Sequence, residues 1–156
     1  MARIIPNEQT YLGFLPTVAD LEAPTAAEIT AGVDLTKYLI SLNAASQGNT
    51  VPTPDLSTLF ETSIPGTVSA SFSADFYRDD DEDLAWNTLP RRTEGVFVLQ
   101  RFGAEPGVAP AAADPVECWP VVIVSRTASN VSSNTAQTFT VTCSVPEEPV
   151  EDAVVA

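Results

Sequence analysis

The sequence predicts a mainly β domain, a β-sandwich or split barrel with one flanking α-helix, and three observations carry that expectation. In "TVSASFSADFY", Val68, Ala70, Phe72, Ala74 and Phe76 alternate without a break against Ser69, Ser71, Ser73, Asp75 and Tyr77. Only a strand, whose side chains point to opposite faces in turn, sorts such a pattern into one dry face and one wet face. Ser and Thr are abundant while Lys37 is the single lysine. β-branched residues suit strands, and helix surfaces usually draw on Lys, Glu and Arg. Seven Gly and 13 Pro in 156 residues divide the chain into short segments separated by turns. Apolar residues make up 44%, enough for one hydrophobic core at this length, so residues 1–146 read as a single domain.

From the N-terminus, a weak alternation places an edge strand at residues 11–15. In "PTAAEITAG", Thr25 and Glu28 have capping-box spacing and Gly32 sits where a helix stops, giving one short helix over residues 26–31. Residues 33–42 are strand-like with an ambiguous period. Residues 44–57 are polar, carry Gly48, Pro52 and Pro54, and read as a long loop. Such a loop in a compact domain is functional or flexible. "STLFETSIPG" reads as a short strand stopped by a turn at Pro65 and Gly66. The alternating strand comes next. At about 3.3 Å per residue its eleven residues reach roughly 36 Å, about twice the usual strand.

The period changes at "YRDDDEDLAWNTL". Ala85, Trp86 and Leu89 fall on one helical face and Pro90 ends the run. Asp79 and Glu82 have capping-box spacing, so the five acids of residues 79–83 read as the first turn of a helix, where the helix dipole favours negative charge. Trp86 and Leu89 are then expected to pack on Phe72 and Phe76. Residues 95–102 read as a strand and 103–115 as a mobile loop rich in Ala, Pro and Gly. Residues 119–125 are apolar on both faces, as in a central strand. In "QTFTVTCSV", Phe139, Val141, Cys143 and Val145 alternate with hydroxyl residues. Pairing the last two strands about a turn near Asn130 would bring Cys118 close to Cys143. "MARIIPNEQT" lacks the apolar stretch of a signal peptide, which favours folding in a reducing cytoplasm with free buried thiols over one bridge. Residues 147–156 read as an acidic, disordered tail.

Charge and residue content argue against several functions. Twenty-one acids against seven Lys and Arg give a net charge of −14. Such a surface repels phosphate backbones and anionic membranes. The chain has no histidine, which removes Ser-His-Asp and Cys-His catalysis and His-ligated zinc. It has no glycine-rich phosphate loop. The acid run offers oxygen ligands to calcium or magnesium. A calcium loop counted from Asp79 needs Glu at its twelfth position, however, and Pro90 stands there. Nothing points to a particular glycosidase-type carboxylate pair. No catalytic residue, metal or cofactor is expected. Trp86 and Trp119 read as core or, alternatively, as ligand-stacking residues. Arg91 and Arg92 either meet a partner's acids or lie solvated at a helix exit.

Taken in order, "NTVPTPDL", "LFETSIPG", the long alternating strand running into an acidic stretch with "AW", "EGVFVLQRFG", "WPVVIVS" and "QTFTVTCSV" resemble the major tail tube proteins of long-tailed, siphovirus-type bacteriophages, in particular those of actinobacteria, over residues 33–145. The resemblance implies a structural subunit that assembles as hexameric rings stacked into a hollow tail tube for phage DNA. Each subunit's inner sheet would add strands to one larger β-barrel around the lumen. It implies that Ser69, Ser71, Ser73 and Asp75 face the lumen. It implies that the 44–57 loop and its surroundings, through Asn49, Thr50, Val51, Pro52, Asp55, Leu56 and Phe60, contact a neighbouring subunit or the next ring, with the N-terminal segment sharing that contact. The helix over residues 80–89 would lie outside the barrel wall. The implied partners are further copies of the chain, the tape measure and tail terminator proteins, and DNA that passes without specific binding. The implied location is the virion tail, assembled in the host cytoplasm. A tall strand with a serine-rich wet face suits a pore wall, and closing a sheet across subunits removes its exposed edges. Two other readings stay open: another ring-forming virion protein of similar fold, such as a tail terminator or head decoration protein, and a metal-binding β-sandwich module.

Overall fold

The computed structural model describes residues 2–3 and 5–156. Among them, eight strands form one continuous antiparallel sheet: β1 (Tyr11–Leu15), β2 (Val33–Asp34), β3 (Leu39–Pro52), β4 (Ser63–Tyr77), β5 (Glu94–Gln100), β6 (Pro115–Ala128), β7 (Thr138–Ser144) and β8 (Val150–Val154). Two short helices, α1 (Ala26–Ala31) and α2 (Leu84–Thr88), and a 3₁₀ turn at Thr36–Tyr38 complete the fold. The strand order is β2-β1-β5-β6-β7-β4-β3, with β8 also on β6.

The long strand β6 serves two leaves of this sheet. Its first half pairs with β5, Trp119 opposite Phe97, and with β8, Val116 opposite Ala153. Its second half pairs with β7, Arg126 opposite Val141. A register shift between Ile123 and Ser125 marks the change, and an irregularity of this kind bends a strand and adds twist. The first leaf is therefore β2-β1-β5-β6-β8 and the second is β6-β7-β4-β3.

The first leaf is buried on both faces. On one side Phe97, Leu99, Trp119 and Val121 join Phe72, Ala74, Phe139 and Val141 of the second leaf in one cluster. The rings of Phe72 and Phe97 stack there with centroids 4.5 Å apart. On the other side Tyr11, Leu15, Val96, Val98 and Cys118 pack with Ile29 of α1 and with Ala153 and Val155. This double burial explains why β1 and β5 carry apolar residues without alternation. The second leaf has a single dry face, and its strands alternate accordingly: in β7, Phe139, Val141 and Cys143 are buried while Thr140, Thr142 and Ser144 are exposed.

The first helix forms where local chemistry dictates. The Thr25 hydroxyl accepts from the Glu28 amide, and the Glu28 carboxylate accepts from the Thr25 amide at 2.9 Å and from the Ala19 amide at 3.1 Å. These two backbone donors, Thr25 first, hold the Glu28 carboxyl below its usual range.

Four expectations are corrected. Residues 44–57 are not a loop: most of them continue β3 as far as Pro52. Pro65 and Gly66 do not end a strand but lie inside β4, at the register shift between the pairs Gly48–Val68 and Thr50–Pro65. Proline is tolerated in a sheet at such irregularities. Residues 147–156 are not a disordered tail, since β8 pairs with β6 and buries Ala153 and Val155. The hairpin register also differs. Cys143 lies opposite Ile123, and Cys118 lies opposite Val98 and Val150, so the two free thiols sit in different clusters.

Gly95 shows how closely β5 approaches β1. A Cβ there would stand 2.3 Å from Cζ of Phe14 and 2.8 Å from the Leu15 carbonyl oxygen. Gly95→Ala is expected to cost about 1–3 kcal/mol in urea unfolding, the usual cost of overpacking; an unchanged midpoint would contradict this packing.

Burial pushes the Cys118 and Cys143 thiols up from 9.0 to about 12, with Asp20 and Glu28 adding to the effect at Cys118. The folded state thus holds these protons more tightly than the unfolded chain. Their contribution to stability is complete below pH 9.0 and is lost as the pH rises toward about 12. Stability should fall across that window, and at about pH 8 a thiol reagent should react only after urea unfolds the chain. Rapid labelling of the native protein would contradict the burial.

Candidate functional site

Two surfaces distinguish this fold from a closed sandwich: the wet face of the second leaf, and the hairpin of β3 and β4 that runs beyond the core. Residues paired across antiparallel strands share a face, so the register builds the wet face row by row. Ser41 of β3, Asp75 of β4, Thr140 of β7 and Thr127 of β6 form one row. Asn43, Ser73, Thr142 and Ser125 form the next, and Ala45 and Ser71 begin a third. Asp75 is the single charge among these residues. Its carboxylate accepts from the Ser41 hydroxyl at 2.8 Å and from the Thr140 hydroxyl at 2.5 Å. The face is thus a hydroxyl wall with one anchored carboxylate and no cation. Ser69, Ser71, Ser73 and Asp75 all lie on it, Ser69 and Ser71 exposed, Ser73 and Asp75 half-buried.

The opposite face of β4 runs out of cover. Phe76, Ala74 and Phe72 are buried, Ala70 is half-buried, and Val68 is exposed. Beyond Val68 the two strands continue through the pairs Thr50–Pro65, Val51–Ile64 and Pro52–Ser63. The Thr53 amide donating to the Thr62 carbonyl at 2.8 Å closes the hairpin. From Ala44 to Thr53, nine residues at about 3.3 Å each, the arm reaches roughly 30 Å past the last buried position. Its tip carries Leu56, Leu59 and Phe60, which are 107%, 108% and 77% exposed. Of the residues singled out for inter-subunit contact, Asn49, Thr50, Val51 and Pro52 lie along the arm, and Asp55, Leu56 and Phe60 lie at its tip. Leu59, Ile64 and Val68 share the exposure; the sequence pattern alone does not mark them, since the alternation of residues 68–76 assigns Val68 to a dry face.

The base of the arm is held by Arg101. Its guanidinium donates to both carboxylate oxygens of Glu117, at 2.5 and 3.1 Å, and to the Ala44 carbonyl at 2.9 Å. One side chain thereby ties the end of the first leaf to the last buried residue of β3. Bidentate Arg–carboxylate geometry fixes orientation as well as distance.

The acidic stretch before α2 also takes a different form from the one expected. The helix begins only at Leu84, and Asp79 and Glu82 do not form a capping box. Asp83 is drawn instead to Arg78, 2.6 Å away, and its carboxylate also accepts from the Asp79 amide at 3.2 Å. The guanidiniums of Arg78 and Arg126 lie 3.9 and 3.7 Å from the ring centroid of Trp86. Arg126 also donates to the Trp86 carbonyl at 2.6 Å. Such cation–π contacts contribute about 0.5–2 kcal/mol each. Trp86 meets Phe139 edge-on, while Phe72 packs against Phe97 and Trp119. Leu89 and Ala85 enter the same core cluster as Phe72 and Phe76. Trp119 is wholly buried in that cluster. Among the described residues, no three of the Cys, Asp and Glu side chains are grouped so as to hold a metal ion.

Comparison with known proteins bears on the fold and the family. A family model described as "Phage tail tube protein" matches residues 1–156. A search of curated protein sequences returns no match. Among solved structures, a chain of the virion of a native gene transfer agent particle is similar with a TM-score of 0.56 at 15% identity, covering 99% of this chain and 100% of that one. A chain of the tail of an empty gene transfer agent particle, refined helically with C6 symmetry, is similar with a TM-score of 0.58 at 14% identity, covering 97% and 100%. A chain of the anti-feeding prophage baseplate, 6-fold symmetrised, is similar with a TM-score of 0.58 at 8% identity, covering 96% and 95%. Identities this low speak to the fold; the family match spans the whole chain, and the chain belongs to the phage tail tube protein family, structural and non-enzymatic components of the virion tail.

Proposed function

We propose that this chain forms the tail tube as hexameric rings that stack along the tail, with the hydroxyl wall of the second leaf turned to the lumen. The observation that carries the reading is the wall itself: a four-stranded face made mostly of Ser, Thr and Asn, with Asp75 its one carboxylate and no Lys or Arg among the rows described. DNA is held through its phosphates by cations, so a wall with none lets it pass. The acidity of the chain lies mostly elsewhere, on residues 79–82 and on Glu147 and Glu148, which are exposed. Sixfold symmetry is supported by the gene transfer agent tail and the prophage baseplate, whose subunits share the fold.

Both edges of the second leaf are open. Among the described residues the outer side of β3 has no partner strand, and on the far side of β6 the pairing ends near Ile123, which Arg92 and Thr93 cover. Joining β3 of one copy to the open side of β6 in the next closes the leaf into a ring, as an edge strand requires if it is not to aggregate. The hairpin arm then reaches a neighbouring ring. The long-tailed phage setting, an actinobacterial host, tape measure and terminator partners, and assembly in the host cytoplasm belong to the same reading and rest on the family resemblance of residues 33–145.

Two experiments test it. Removing residues 49–66 should leave a soluble, folded chain that no longer elongates into tubes in negative-stain images; tubes of unchanged length would refute the role of the arm. Ser71→Arg with Ser73→Arg should leave tubes that retain a short DNA duplex and shield it from nuclease, whereas native tubes release it. If the bound duplex is digested freely, the wall does not face the lumen.

A further inference from the structure

A cleft of about 1270 Å³ opens beside the base of β3, lined by Val33, Lys37, Leu39, Ile40, Leu42 and Leu84 among others. Ile40 sits at the register shift between Leu39 and Ser41, outside the paired ladder of β3 and β4, and is 44% exposed. Val33, Leu39, Leu42 and Leu84 are half-buried. The apolar floor is thus partly open to solvent. Lys37, the one lysine of the chain, stands at this cleft with its ammonium 5.1 Å from the Tyr38 ring. Among the described residues it makes no ion pair, while Arg101, also at the cleft, is engaged by Glu117. Glu8, Asp34 and Glu105 also line the cleft, so Lys37 is the one basic group of its lining outside the Arg101–Glu117 pair.

The hairpin tip carries the complementary features. Leu56, Leu59 and Phe60 are exposed apolar side chains, and Asp55 and Glu61 flank them. These two acids make the tip anionic at neutral pH, and the Ser57 hydroxyl and then its amide hold the Asp55 carboxyl below its usual range. The two features lie at opposite ends of one strand: β3 begins in the cleft at Leu39 and runs 14 residues to Pro52, just before the tip, a span of roughly 46 Å at about 3.3 Å per residue. A chain cannot fold a rigid arm back to fill its own cleft at the base of that arm. Two unlike complementary surfaces at opposite poles make a heterologous contact, which repeats as an open stack.

We infer that the cleft beside the base of β3 receives the hairpin tip of a second copy, with Leu56, Leu59 and Phe60 against Val33, Ile40 and Leu84, and the flanking acids beside Lys37. The inference rests on the tube reading and adds the surface on which the arm docks. It makes each copy donor at one end and acceptor at the other, which fixes the polarity of stacking.

The test uses the full chain carrying Ile40→Cys together with Phe60→Cys, assembled and then treated with a short bismaleimide cross-linker. The native thiols stay silent because both are buried. The expected result is a ladder of covalent multimers from the double variant and none from either single variant. As an independent readout, Ile40→Glu should fold as the native chain does but need at least about tenfold more protein to form tubes, equivalent to about 1.4 kcal/mol of lost contact. Tubes without a ladder, or Ile40→Glu elongating like the native chain, would overturn the cleft assignment and leave the tube reading standing. A tip-to-tip dimer from Phe60→Cys alone would overturn it too. A native chain that forms no tubes under any condition would overturn both.

Discussion

Strand β4 has more apolar length than the domain has body to cover it. Its dry face is sealed at Phe76, Ala74 and Phe72, half sealed at Ala70 and open at Val68. Apolar surface removed from water contributes about 25 cal/mol per Å², and the isolated chain leaves that gain unrealised along the arm and at its tip. Free backbone groups along the outer side of β3 add a second unsatisfied surface. Covering either one takes another chain. The rest of the structure presents this incomplete leaf rigidly. The first leaf is buried on both faces and supplies a firm core, Arg101 fixes the base of β3, and Trp86, clasped by Arg78 and Arg126, fixes the turn that follows β4.

How much of this was legible in the sequence depended on whether the shaping interactions were local. The α1 helix was readable because Thr25 and Glu28 cap each other across three residues. The β4 alternation was readable because one of its faces is dry for much of its length. The outer half of β3 was not readable. It is solvated on both faces in the single chain, so Ser46, Gln47, Gly48, Asn49 and Thr50 carry the composition of a loop; only pairing with β4 makes them a strand. The β8 strand was hidden for a related reason, since its partner lies far upstream, from 39 residues at the Pro115–Val154 pair to 32 at Cys118–Val150, and acids surround it. The acid run was misleading because the helix dipole offered it a sufficient explanation, whereas Asp83 is taken by Arg78 before the helix begins. Of the candidate site, the wet serines could be read directly. The arm's apolar tip was only partly visible, and the cleft at Ile40 was invisible, because segments far apart in the sequence line it.

The proposed function rests on chemical restraint on one face and excess on another. The wall offers hydroxyls and a single hydrogen-bonded carboxylate per subunit, a surface that can be wetted but has nothing with which to grip a phosphate. Net charge alone would have suggested repulsion by an acidic lining, yet most acids lie away from the wall and are better placed to keep the particle soluble. The arm supplies the contrary property, an apolar reach that is useful only when another copy receives it. With the wall turned to the lumen, as proposed, separating the two would keep cohesive surface out of the channel.

Hydrogen exchange on the arm tests most directly whether β3 and β4 are completed by other copies. In dilute single chains the amides of residues 45–52 and 63–70 should exchange far faster than those of β5, which is buried on both faces. In assembled tubes the same arm amides should become protected to a degree approaching β5. Equal exchange of the arm in both states, or full protection in the lone chain, would contradict the claim that the hairpin is an unfinished surface.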